Sequence, residues 1–270
     1  LALDHLLAHP NVAPFVSKQL IQKFVTSNPT PDYVERVANT FNKGRYETSD
    51  GTVFGTGERC DMQATLAAIL LDPTARDLES LEDENFGKVR EPIIRVAHMM
   101  RTTAKARDVA PGGRLPRAGQ LRQGPTATGE QVPFRPYSVF SFFRPGFVPS
   151  GTEVASRGDV APEMQVMTST HFIDQLRLAR HFVRNDKFPQ SFYQLDWERL
   201  KPLADDPDTL VAYFNETFAA GQFEPATQAR MVEALRDVRV QAREPDRGLR
   251  QRVEVALLMT MSAPEFMVQR

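Results

Sequence analysis

Apolar residues recur along this chain at helical spacing, and proline or a small polar residue brackets nearly every run. Val12, Val16, Leu20 and Phe24 repeat at i, i+4 with Phe15 and Ile21 beside them, which predicts a helix with one core face, opened by Asn11. Thr30, Pro31 and Asp32 open the next, with Val34, Val37, Ala38 and Phe41 as its buried stripe. Proline loses no hydrogen bond in a first turn, and the carboxylate meets the positive helix end. Asp61 is placed to cap MQATLAAILLDP, whose Met62, Leu66, Ile69 and Leu70 share one face. Glu91-Pro92 opens IIRVAHMMRTTAKA, with Ile93, Val96, Ala97 and Met100 inward and Arg95, Arg101 and Lys105 outward. Pro162 opens EMQVMTSTHFIDQLRLARHFVRND, the longest continuous helical pattern. Three more follow: TLVAYFNETFAA capped by Asp208 and closed at Gly221, TQARMVEALRDVRVQA after Pro225, and GLRQRVEVALLMTM after Asp246.

Few segments alternate with period two. In the Gly- and Thr-rich stretch Asn42 to Arg59, Asp50-Gly51 is a type I′ turn signal and Thr52-Val53-Phe54 a short strand, which together suggest one small β-hairpin. The predicted class is all-α: an irregular multi-helix bundle forming a single helical domain over 1-270, with long Pro/Gly-rich loops. One of these, 108-131, carries Arg114, Arg117 and Arg122 among Pro and Gly and reads as a mobile loop. Next comes VPFRPYSVFSFFRPGFVPSGTEVASRGDVAPEMQV, residues 132-166, where Phe134, Tyr137, Phe140, Phe142, Phe143 and Phe147 lie between four prolines. Prolines forbid one long helix here, so the rings come from short turns, and the segment is expected to be the aromatic hub at which the helices meet.

Composition narrows the function classes. The chain of 270 residues is 41% apolar and 25% charged with a formal net charge of -1, which gives no overall pull toward nucleic acid or an anionic membrane. Its apolar runs, such as Leu66 to Leu71 and Val255 to Met261, are too short to span a bilayer. One cysteine, Cys60, excludes an intrachain disulfide and a four-cysteine zinc site. Leu1 falls inside a helical pattern, so an upstream segment is expected.

Among residues that carry chemistry, only His5 and His9 have the i, i+4 spacing that lets two imidazoles share an ion, with Asp4 alongside. An exposed polar pair is the simpler reading, and no metal is assigned. His98, Met99 and Met100 are ligand types of haem and copper sites, but neighbours on a helix point in different directions. Cys60 beside Asp61 has no identifiable histidine partner. Glu153, Asp159 and Glu163 flank the aromatic hub and are the candidate catalytic carboxylates, since carboxylates beside rings can hold and hydrolyse a sugar polymer. Arg135, Tyr137, Phe143, Arg144 and Phe147 are the candidate binding residues: a guanidinium bracketed by rings and prolines can pack against them or hold an anion.

Several stretches together resemble the C-terminal part of the bacterial family known as domain of unknown function 1800. They are HPNVAPFVSKQLIQKFVTSNPTPDYVERVANTFN, LAAILLDPTAR, GKVREPIIRVAHMMR, SVFSFFRPGFVPSG, VAPEMQV and LLMTMSAPEFMVQR, in the family's order over nearly the whole chain. The loop RYETSDGTVFGTGERC departs from the shorter glycine-rich link expected there. The resemblance implies a periplasmic or secreted protein and a sulfatase-like partner of the family known as domain of unknown function 1501. It supplies no catalytic residues. No cofactor is expected. The function expected is extracytoplasmic binding or assembly with that partner. The alternatives are a hydrolase acting on an extracellular polysaccharide or other polymer, and a haem or metal redox protein.

Overall fold

The computed structural model describes residues 2–83, 85–105, 128–132, 134–184 and 195–270. Among these the elements run α1 (Ala2–Leu7), α2 (Val12–Phe24), α3 (Pro31–Lys43), β1 (Tyr46–Glu47), β2 (Val53–Phe54), α4 (Met62–Leu70), α5 (Pro73–Arg76), β3 (Lys88–Val89), α6 (Pro92–Thr103), α7 (Glu153–Arg157), α8 (Ser169–Arg184), α9 (Trp197–Asp205), α10 (Pro207–Ala219), α11 (Pro225–Arg236), α12 (Pro245–Ser262), α13 (Pro264–Met267) and β4 (Val268–Gln269). Helix dominates, as the periodicity predicts, and strand is confined among the described residues to two two-stranded sheets. No helix among them is long and apolar enough to cross a membrane. Most of the expected 108-131 loop lies outside the described residues.

The chain divides into two compact units, a division that the helical periodicity gives no sign of. Unit 1 comprises Leu1–Val89, Phe143–Gln165 and Gln269–Arg270; unit 2 comprises Arg90–Phe142 and Val166–Val268. In unit 1, α2, α3 and α4 meet through small residues. Ala13, Ala38, Ala64 and Ala68 are buried along with Ile21, Val37, Phe41 and Ile69. This corrects the faces expected for α2 and α4. Phe15, Phe24, Met62 and Leu70 are exposed, because the helices approach on their alanine sides and the larger side chains stay at the rim. Helix α3 keeps its expected stripe and adds Tyr33, whose hydroxyl donates to Ile69 O at 2.6 Å. Burial, and then the charge of Asp72, hold that phenol far above its ordinary pKa. The Arg36 guanidinium grips Asp72 with two bonds of 2.8 Å each, and Asp72 also caps α5. The hairpin is present, pairing Tyr46 with Phe54 and Glu47 with Val53. Its turn is not type I′: Gly51 is left-handed, whereas Asp50 instead accepts from Thr52 N at 3.0 Å.

In unit 2, α8 to α13 surround one large core. Phe214, Phe218 and Phe266 form its aromatic centre, with Leu210, Met231, Leu249, Val253 and Leu257 around them. Glu254 of α12, nearly buried, is clamped by Arg180 and Arg184 of α8 at 3.0 and 2.7 Å. The long pattern after Pro162 is interrupted: a 3-10 turn spans Pro162–Val166, and α8 begins only at Ser169, with Thr168 Oγ1 accepting from His171 N. Helix α10 is capped by Asp206, not Asp208, because Pro207 takes the first-turn position. Its left-handed end residue is Ala220, ahead of Gly221.

Gly44 ends α3 at φ 62, and a Cβ there would run into the Glu58 backbone. Gly51 is equally left-handed but faces open space. Gly51→Ala should cost about 1 kcal/mol, the conformational penalty alone. Gly44→Ala should cost at least about 2 kcal/mol more by chemical denaturation, and equal costs would show that the Glu58 contact yields freely.

Candidate binding surface

The segment expected to be the hub, 132-166, is divided between the two units. Its first part belongs to unit 2, where residues 132 and 134–140 are all exposed. Phe134 is fully exposed, Val139 is 93% exposed and Tyr137 67%, with Val132 and Phe140 also at the surface. Backbone chemistry holds the rings outward. Phe134 and Ser141 sit at positive φ, 62 and 74, and turns close from Arg135 N to Val132 O and from Ser141 N to Ser138 O at 3.0 Å each. Tyr137 packs edge-on to Phe142 with ring centres 5.7 Å apart, and its hydroxyl donates to Glu130 at 3.2 Å. The result is a self-braced apolar loop whose rim carries Arg135 and Glu130. Of the binding candidates, Arg135 and Tyr137 lie on it.

The second part of the segment, with the remaining candidates, belongs to unit 1. Phe143 is buried beneath Lys23, whose ammonium lies 4.5 Å from the ring centre. Arg144 is exposed, its backbone N–H donating to Gln165 Oε1 at 2.8 Å, and Phe147 is half-buried. The three carboxylates part company. Glu153, 77% exposed, caps nothing but pairs with Arg157 at 2.7 Å. Asp159 is half-buried in the turn that closes α7, its N–H bonded to Val154 O. Glu163 is interior at 1% exposure and bound to Lys88, itself 5% exposed, at 3.0 Å. Ser27 Oγ donates to the other Glu163 oxygen at 3.4 Å, and the Lys88 ammonium also donates to Lys23 O at 2.7 Å. Two of the three are thus committed to their own cations, and Glu163 serves as the anion of an internal ion pair. The proline that begins its 3-10 turn gave no sequence signal of that burial.

A family model described as a protein of unknown function, DUF1800, matches residues 1–268. The chain belongs to that family. Neither the curated proteins nor the solved structures contain a match.

The other candidates in this DUF1800 chain are placed as follows. His5 lies in α1, which buries nothing, and His9 Nδ1 accepts from Asn11 N at 3.2 Å. No group of three or more metal-binding side chains gathers among the described residues. Cys60, at φ 72, packs beside Ala13, Ala38 and Phe41. His98 has both ring nitrogens engaged: Nε2 donates to Thr217 O at 2.8 Å, which leaves Nδ1 to accept from Arg90 Nη1 at 3.3 Å. Its ring stacks on Phe218 at 5.2 Å. Met99 is fully buried in the core of unit 2. Sequence reasoning missed a polar cleft of about 560 Å³ in unit 1, lined by Arg36, Asn39, Lys43, Arg45, Tyr46 and Glu47. Most of its residues come from α3 and the following strand, where no period marks a shared wall.

Two measurements follow from this geometry. Glu163→Ala leaves the Lys88 charge buried without its partner and should cost about 3–5 kcal/mol of unfolding free energy, while the double replacement by methionine should recover most of it; a loss under 1 kcal/mol in the single variant would mean that the pair is solvated. For His98, burial and then the Arg90 and Arg101 charges depress the pKa below its ordinary 6.5, against the Thr217 bond that raises it. The unfolded chain therefore binds a proton first as pH falls. The contribution is fully present above pH 6.5 and is lost as pH falls through the lower folded value. His98→Gln should flatten the fall of melting temperature between about pH 7 and 5, and an unchanged slope would assign it to other groups.

Proposed function

We propose that this DUF1800 protein is an extracytoplasmic binding or assembly protein that docks a partner protein through the exposed residues 132 and 134–140. The observation that supports this reading is the loop itself. Three aromatic and two valine side chains stand in water on a backbone already fixed by its own turns, so docking loses little further conformational freedom. Aromatic residues with an arginine at the rim are the composition of interface hot spots. Arg135 is balanced by Glu130 on the same rim, so the loop has no surplus of positive charge to draw it to anionic lipid. The sulfatase-like partner and the periplasmic or secreted location implied by the family resemblance belong to this proposal.

The hydrolase alternative draws less support, since Glu163 is held by Lys88 and Glu153 by Arg157. The redox alternative would have to free His98 from both of its hydrogen bonds.

The test is capture of the sulfatase-like partner by the tagged protein, followed by crosslinking. Replacing Phe134, Tyr137 and Phe140 together by serine should weaken capture at least about 100-fold. The melting temperature should stay within about 2 °C, because the rings lie outside both cores. Undiminished capture by the triple variant would remove the loop from the interface.

A further inference from the structure

Arg95 is the largest fully buried side chain among the described residues, with 0% exposure. The helical pattern places it outward on α6; it lies instead on the buried face with Pro92, Val96 and Met99. Its Nε, Nη1 and Nη2 all lack a hydrogen-bond partner among the described residues. Burial pulls its pKa down to about 10, so the guanidinium is still charged at neutral pH. Arg90 shows what satisfaction looks like in the same unit: Nη1 donates to Phe218 O at 3.1 Å, and the guanidinium lies 5.2 Å from the Phe266 ring centre. Glu91 lies close in sequence but accepts from Gln131 Nε2 at 2.6 Å.

A second unsatisfied group lies on the facing helix. Gln175 of α8 is 1% exposed, and its Nε2 donates to Pro92 O at 3.1 Å while its Oε1 has no partner among the described residues. A helical carbonyl points toward the residue three or four places on, so the carboxamide sits at the level of Arg95 and Val96. A buried guanidinium whose five donors have no partner among the described residues, with an unpaired amide oxygen on the facing helix, is costly as it stands, and one small ligand with the right groups could satisfy both. Ionised oxygens would accept from Arg95, and a hydroxyl on the same molecule would donate to Gln175 Oε1. Hydrogen phosphate has both near neutral pH, whereas sulfate has no proton to give. We propose that Arg95 and Gln175 form an internal site in unit 2 for a small proton-bearing oxyanion of the hydrogen phosphate type. Arg95 shows no surface to solvent, so the anion enters by a local opening of α6 against α8, and the flexible Met99 side chain one turn along gives way to it.

The experiment is thermal unfolding of the full chain at pH 7 in inorganic phosphate, sulfate or chloride at equal ionic strength. Phosphate should raise the wild-type midpoint by roughly 3 °C or more over chloride, and sulfate should not. In Arg95→Met the phosphate rise should vanish, while the midpoint in chloride equals or exceeds that of the wild type, because a buried lone charge has been removed. Absence of a phosphate rise, an equal rise in sulfate, or a rise that persists in Arg95→Met overturns the proposal. Should that variant fail to fold, amide hydrogen exchange of the wild type decides: phosphate should slow exchange in α6 and α8, and unchanged rates there overturn it.

Discussion

A proline at the start of a helix is the constraint on which this architecture depends. Helices α3, α5, α6, α10, α11, α12 and α13 each carry proline in the first turn. The ring fixes φ and removes a donor that would have no partner there, and it forces the preceding residue toward extended backbone. Each proline therefore turns the chain out of one helix and into the next. The helices stay short, the longest described being the 18 residues of α12. Short helices offer small apolar faces, so stability comes from their mutual packing and from side chains that tie one to the next. Glu254 between Arg180 and Arg184, and Asp72 under Arg36, are ties of this kind.

The same constraint explains what could be read from the residues. Helix starts are encoded locally, and Thr30, Asp61 and Pro92 open their helices as expected because capping needs only neighbouring backbone. Buried faces are less legible. Periodicity weighs large apolar residues, yet α2 and α4 pack through alanine, since two helices with small residues in contact come closer and exclude water as well. Arg95 is the sharper failure: a charged residue two places from an alternative apolar face reads as outward, and only the surrounding helices place it inward.

The candidate site was legible as a composition and illegible as a geometry. Six rings among prolines mark a segment that cannot be one long helix, and that much holds. Whether such rings turn in or out depends on left-handed residues at Phe134 and Ser141, which sequence preference does not mark. Glu163 was singled out for its aromatic surroundings, but its role is set by Lys88, 75 positions earlier in the chain. Pairing over such a distance leaves no local trace. Outward rings suit recognition, and inward charge suits either structure or a small ligand; both kinds occur within one span of helices and turns.

Unit 1 is assembled from three separated stretches of chain, and this has a consequence for its birth on the ribosome. The buried Glu163 arrives only after all of α6 has been made, and Gln269 Nε2 closes onto Phe24 O across 245 positions. Lys88 must wait through that interval without its anion. Synthesis proceeds at about 5–20 residues per second, so the first 89 residues spend several seconds as an incomplete unit in which Lys88 lacks its anion. That interval is when a chaperone, or aggregation, has its opportunity.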